Sequence, residues 1–193
     1  MHLPDKELAA KAKAGDAEAF ATLFKKYNGK ILGYLYRYIG NYQTAEDLTV
    51  QTFMNAYNKL HLYRERGMFL SWLYKIATNI AKRELQNKRY RAEVPLEKPV
   101  SEDGQMSLQG IIADERNRPD YAAREAEFKE FIYRVLSKLD KKYKDVLLLC
   151  DVEGLSYDEA AKTLNVTPTA VGTRLGRARD MFYEILEKYG YKF

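Results

Sequence analysis

Three arginines near the end of the chain, Arg174, Arg177 and Arg179, lie in the stretch SYDEAAKTLNVTPTAVGTRLGRAR, from Ser156 to Arg179. Guanidinium groups pair with phosphate oxygens, so their spacing on a helix raises the question of nucleic acid. Drawn at about 100° per residue, Val171, Leu175, Ala178, Phe182 and Ile185 form one apolar stripe. Thr169, Thr173 and Gly176 point the other way, with Arg174 and Arg177 on one shoulder and Arg179 on the other. Small outward residues permit close approach to base edges, while flanking cations meet phosphates on the groove walls. An ordinary solvated surface helix is the competing reading of the same residues.

The elements that must position this helix are legible around it. Ser156 precedes Glu159 by the spacing of a capping box, which starts a short helix with Ala160, Ala161 and Leu164 on its apolar side. Asn165-Val166 breaks that helix. Thr167 as N-cap and Pro168 at the first helical position start the next. Together they predict a helix-turn-helix.

No other cluster offers covalent or metal chemistry. His2 and His61 are the only histidines and Cys150 is the only cysteine, which excludes an internal disulfide and a Cys/His zinc site. No metal or other cofactor is expected. There is no nucleophile elbow or phosphate loop, and Glu46 and Asp47 are adjacent, so they diverge on a helix. An enzyme is therefore the least supported class. Cys150, inside VLLLC, reads as a buried small hydrophobe. The net charge of +5 leans weakly toward nucleic acid. No apolar run reaches the length of a membrane span, and the first residues carry no signal core, so a reduced, cytoplasmic setting without a membrane partner is expected.

Along the chain, every periodic segment is helical and no strand pattern occurs. A helix from Asp5 to about Ala14 is followed by Asp16 as the cap of AEAFATLFKKY, whose stripe is Phe20, Leu23, Phe24 and Tyr27. Asn28-Gly29 is a weak interruption before KILGYLYRYIG, which Gly40 ends. Thr44 is the expected cap of AEDLTVQTFMNAYNKL, a helix apolar on two faces. Ala45, Leu48, Thr52, Phe53, Ala56 and Leu60 make one; Val50, Met54 and Tyr57 make the other, beside Glu46 and Asp47. The second face suits either a central bundle position or a partner protein.

The loop HLYRERGMF leads into LSWLYKIATNIAKRELQNKRYR. Phe69, Trp72, Leu73, Ile76, Ala77 and Ile80 face a core; Ser71, Lys75, Thr78, Asn79, Lys82, Gln86 and Arg89 form a basic opposite face. Cations beside an aromatic loop fit a single-stranded nucleic-acid site. The stretch from Ala92 to about Asp120 holds prolines, glycines and seven carboxylates, and reads as an acidic linker. A helix through YAAREAEFKEFIYRVLSKL and another capped by Asp140 and closed by Gly154 precede the helix-turn-helix. The fold class is all-α, with two small helical domains at residues 1–91 and 120–193 and a flexible acidic linker at 92–119. Sixteen tyrosines, many in the first half, await a reason.

AED followed by F-x-x-AY, then WLY-x-IA-x-N, a linker and a terminal GLSYDEAAKTLNV…TRLGRAR resembles the extracytoplasmic-function (ECF) group of bacterial RNA polymerase sigma factors, over about Ala17 to Leu186. The first domain resembles sigma region 2 and the last resembles sigma region 4. That resemblance implies a promoter-specificity subunit whose partners are core RNA polymerase and promoter DNA, with an anti-sigma factor as the family's common regulator. It implies docking on the β′ clamp helices through Asp47, Val50, Met54 and Tyr57. It implies recognition and melting of the −10 element by Tyr63, Arg64, Arg66, Phe69, Lys75, Asn79, Lys82 and Arg83. Thr169, Thr173, Arg174, Arg177 and Arg179 would meet the −35 element, while the same domain packs on the β-flap. The linker would thread toward the polymerase active site and RNA exit channel. Two departures matter. Val50 and Gln51 stand where the family often has glutamine and an acidic residue. Gly172 and Gly176 stand where it commonly has larger side chains, which implies a relaxed −35 readout. A stand-alone helix-turn-helix regulator with an N-terminal dimerisation bundle is the alternative; it leaves the basic helix, its loop and the acidic linker without a role.

Overall fold

The computed structural model describes residues 3–64, 68–93 and 131–190, with side chains described as far as residue 88 in the second segment. The expected linker and Arg66 lie outside the described residues. All described regular structure is helical. Four helices form the first unit: α1 (Asp5–Lys13), α2 (Ala17–Ile39), α3 (Tyr42–Asn58) and α4 (Phe69–Glu93), with a 3₁₀ turn at Leu60–Leu62. The second unit holds α5, described over residues 131–138, then α6 (Lys141–Val146), a π-helical segment (Leu147–Val152), α7 (Tyr157–Leu164) and α8 (Pro168–Lys188).

Local chemistry fixes most of these boundaries. Asp16 accepts from the Ala19 N–H at 3.1 Å and starts α2, and Gly40, at φ 78°, ends it in the left-handed conformation that glycine adopts without strain. The helix runs straight through Asn28-Gly29, because Tyr27, Ile31, Tyr34 and Leu35 continue one buried stripe across them. Packing there outweighs the weak propensity of two residues. The cap of α3 is Asn41, not Thr44: its side chain accepts from the Thr44 N–H at 2.8 Å, and the helix starts three residues earlier than expected. The capping box of Ser156 and Glu159 forms, as do the Thr167 cap and the Pro168 start. Asp140 precedes α6 without a side-chain cap bond.

The first unit buries Leu23, Ile31, Leu35, Ala45, Phe53, Ala56, Leu73 and Ala77 between its helices; the second buries Val146, Leu148, Leu149, Ala160, Val171, Leu175 and Ala178. The two sets are continuous, so the units pack as one body in which α4 meets α7 and α2 meets the π segment. Cys150 is half-buried, and burial pushes its thiol up to about 11, so it stays protonated near neutral pH.

Candidate nucleic-acid and protein interfaces

The two-faced helix α3 turns one stripe inward and leaves the other in solvent. Ala45, Leu48, Thr52, Phe53 and Ala56 are buried, whereas Val50 is 56% exposed, Met54 61% and Tyr57 51%. Tyr57 is braced by an edge contact with Phe20, ring centroids 5.0 Å apart. Asp47 is exposed at the same end. No other element of the described residues covers this apolar stripe, which therefore faces solvent there and does not sit at the centre of the bundle.

The N-terminal end of α4 departs from expectation in an informative way. Phe69 lies in the core as its stripe on α4 predicts, at 1% exposure, and Tyr63, at 4%, joins it there and not in an open base-stacking platform. With Trp72 they make an aromatic cluster with centroids 5.3–5.6 Å apart. Lys13 from α1 donates to the Tyr63 carbonyl, pinning the loop. Burying three large rings gains more than leaving them in water for a ligand, and that decides their place. They form a packed cluster where the 3₁₀ turn meets the start of α4, and Arg64, next to Tyr63, stands exposed.

Further along α4, Lys75, Asn79 and Arg83 project into solvent. Thr78, grouped by its position with that polar face, is instead buried and bonded to the Tyr34 hydroxyl at 2.7 Å. Lys82 is ion-paired, its Nζ 2.6 Å from Asp145 in the second unit. The charged surface of α4 is thus narrower than its sequence suggests, because the second unit covers one edge of it.

On α8 the groove side is open. Thr169, Thr173 and Arg177 are exposed and Arg174 is half-buried. The Thr173 hydroxyl donates to the Thr169 carbonyl at 3.0 Å, so its oxygen remains an acceptor. Arg179 is held by Asp151 in a bidentate pair, with contacts of 2.9 and 2.6 Å. It is less free for phosphate than its helical position suggests. A Cβ at Gly172 would meet the Tyr157 ring at 3.4 Å, whereas one at Gly176 would meet nothing within 4 Å. Tyr157, half-exposed, fills part of the space a side chain at 172 would take. The sequence hid this because the two residues sit on different helices.

The tyrosines find their reason at the seam between units. Tyr38 donates to Asp145 at 2.8 Å and Tyr74 donates to Glu153, which also receives Arg37. Lys144, buried, points at the Tyr38 carbonyl at 3.4 Å, and burial pulls its pKa down to about 8. Burial raises the pKa values of Tyr34, Tyr38 and Tyr74 well beyond the usual phenol range.

Residues 23–91 match the family model for Sigma-70 region 2, and residues 130–181 match that for Sigma-70, region 4. The chain is 31% identical over 95% of its length to the RNA polymerase sigma-H factor of Pseudomonas aeruginosa, covering 94% of that protein. It is 29% identical over 93% of its length to the ECF RNA polymerase sigma factor SigW of Bacillus subtilis, covering 95% of it. Among solved structures it resembles CnrH in complex with the cytosolic domain of CnrY, at TM-score 0.69 and 26% identity, over 95% of this chain and 97% of that one. The sigma factor RpoE of Bartonella quintana, solved with the anti-sigma factor NepR, shares the fold at TM-score 0.63 and 18% identity, over 89% and 98% of the two chains. A region 2 joined to a region 4 defines an RNA polymerase sigma factor of the sigma-70 kind. The chain belongs to the ECF group of these factors.

Proposed function

We propose that this sigma factor docks on core RNA polymerase through the outer stripe of α3, opens promoter DNA at the −10 element along α4, and anchors upstream through α8. The observation that carries the reading is the split burial of α3. Val50, Met54 and Tyr57 lie bare on a helix whose opposite side is fully packed, and an exposed apolar stripe of that kind is stabilised by a protein partner. The polymerase β′ clamp helices are the partner the family supplies, and Asp47 adds a charge at the edge of the patch. The second unit would meet the β-flap.

Strand opening needs no covalent chemistry. Unstacking costs a few kcal/mol per base, offset by phosphate pairing and contacts to the displaced base. Lys75, Asn79 and Arg83 are the exposed groups positioned to hold one strand, with Lys82 joining once freed from Asp145. Arg64 and Arg66 belong to the loop that would receive a flipped base. Tyr63 and Phe69 support that loop from below.

The −35 readout is relaxed in this reading. Thr169, Thr173, Arg174 and Arg177 supply the contacts of α8, while Gly172 and Gly176 add no side chain of their own, and DNA shape carries part of the preference. The work is done in the cytoplasm without a cofactor or a catalytic step, and an anti-sigma factor is the regulator that the family's complexes suggest.

The test mixes the chain with core polymerase and a pool of promoter fragments. Initiation specific to this chain is expected. Met54→Asp should abolish it by preventing polymerase binding, and Lys75→Glu should spare binding but block opening. Loss of polymerase binding in Lys75→Glu would overturn the assignment of faces.

A further inference from the structure

Where α2 ends, the two units share a cavity of about 690 Å³ with walls from α2, α4, α5 and α6. Five cations line it, Arg37, Lys88, Lys141, Lys142 and Lys144, against a single carboxylate, Asp140, among the described residues. Elsewhere along the seam a cation meets an acid: Arg37 turns to Glu153, and Lys82 to Asp145. None of the four lysines of the cavity has an ion pair among the described residues.

Lys144 is the most telling of them. It is only 6% exposed, with its Nζ 3.4 Å from the Tyr38 carbonyl and 5.4 Å from the centre of the Tyr38 ring. An ammonium has three donors, and one long hydrogen bond uses one. Asp145, its neighbour in sequence, directs its two oxygens to Tyr38 and Lys82. Burial accordingly pulls the pKa of Lys144 down to about 8, the response of a cation short of partners. An anion in the cavity would supply what it lacks.

The shape of the lining narrows the kind of anion. From buried Lys144 the positive charge runs through half-buried Lys141 to exposed Lys142 and Lys88. A lone phosphate would meet one or two of these groups, whereas a chain of two or three phosphates would meet more of them. The remaining lining includes Ile39, Leu85, Leu139 and the half-buried ring of Tyr133, which is braced by Tyr36 with centroids 4.5 Å apart. Apolar and aromatic surface beside phosphate-binding cations suits a planar base. The volume falls in the range of about 300–1,000 Å³ typical of small-ligand sites.

We propose that this cavity binds a nucleoside di- or triphosphate, with its phosphates on Lys144, Lys141, Lys142 and Lys88 and its base against Tyr133 and the apolar side chains. No residue assigned above to polymerase or promoter contact lines the cavity, so the site is separate from those surfaces. Both units contribute to it, and the ligand would therefore stabilise their packing.

The experiment titrates the full chain calorimetrically with ATP, GTP, ADP, AMP and inorganic pyrophosphate. The nucleoside di- and triphosphates should bind at least about tenfold more tightly than AMP or pyrophosphate. Lys141→Glu with Lys142→Glu should weaken their binding at least about tenfold. Lys11→Glu with Lys25→Glu makes the same change in net charge on exposed positions that do not line the cavity, and should alter Kd by less than about twofold. Ser137→Trp changes no charge and fills the cavity from an exposed position, so it should abolish binding while leaving the helical circular dichroism intact. Asp140→Asn removes the one opposing carboxylate, which makes no side-chain cap bond, and should tighten binding about two- to threefold. Pyrophosphate binding as tightly as ATP would overturn the place given to the base. No heat from any nucleotide up to about 1 mM, binding indifferent to Ser137→Trp, or equal losses in the two lysine pairs would overturn the site itself.

Discussion

Helices α4 and α8 carry similar basic, polar faces in sequence, yet the fold treats them differently. On α8 the one arginine that is tied down, Arg179, pairs with Asp151 of its own unit, and both partners stay in solvent. Such a pair is worth little and yields readily to a competing phosphate. On α4, Lys82 pairs with an acid of the other unit that is almost wholly buried. A buried carboxylate cannot be left without its cation at small cost. The accessibility of a cationic face is therefore decided by where its acids come from, not by the helix that bears it. The arginine of α8 is held only at the surface, while the lysine of α4 is tied across the seam to a buried acid.

The strongest way to break this contrast is Lys82→Ala. Leaving the buried Asp145 without its ion-pair partner should destabilise the packing of the two units by about 2–4 kcal/mol, toward the low end because Lys82 itself is about a third exposed and Lys144 lies near Asp145. Chemical denaturation should show it as a new early transition. Arg179→Ala should shift the midpoint by no more than about 0–1 kcal/mol, and a shift as large as that of Lys82→Ala would erase the distinction. Met54→Asp comes next. It should weaken core-polymerase binding by about 10- to 100-fold, as expected for one buried apolar anchor, while leaving the denaturation midpoint unchanged.

A pH series sharpens the same comparison at the seam. Lys144 has its pKa lowered to about 8 where the two units pack and recovers its usual value of 10.5 when released. Between these values the separated form binds more protons, so the packing should strengthen as pH rises from about 8 to 10. Above about 10 the sign reverses. Tyr34, Tyr38 and Tyr74 resist ionisation while buried, and the released phenols lose protons first. Scattering or intramolecular distance measurements that found the packing weakening from pH 8 upward would contradict the placement of Lys144. The smallest effect is expected on the open face. Gly176→Ala meets nothing within 4 Å and lies inside a helix, so it should stabilise the chain by about 0.5–1 kcal/mol. Gly172→Ala should gain less, since it presses on Tyr157.

Much of this was legible in the sequence wherever one helix carries its own signal. The Ser156 capping box, the Thr167-Pro168 start, the two faces of α3 and the arginine shoulders of α8 depend on neighbours within a turn or two. Phe69 lies in the core as its helical stripe predicted, but Tyr63 and Thr78 were misplaced, because composition does not distinguish an aromatic that stacks on a base from one packed beneath its neighbours. Nor does it separate a threonine in water from one bonded to a buried tyrosine. The seam was out of reach for a different reason. Asp145 and Glu153 are out of phase at the regular helical period, and their partners lie on the far side of the stretch from 94 to 130.

The π segment has a consequence for how such a chain could change over generations. Losing Cys150 from the run between Leu147 and Val152 alters no charge at neutral pH and removes none of the polar side chains of the seam. It is a rotation, of the order of 100°, applied to everything before it relative to everything after. A lineage could therefore undo or restore the contacts that Asp145 and Glu153 make with the first unit by a single-codon deletion or insertion, with the exposed faces of α3, α4 and α8 untouched.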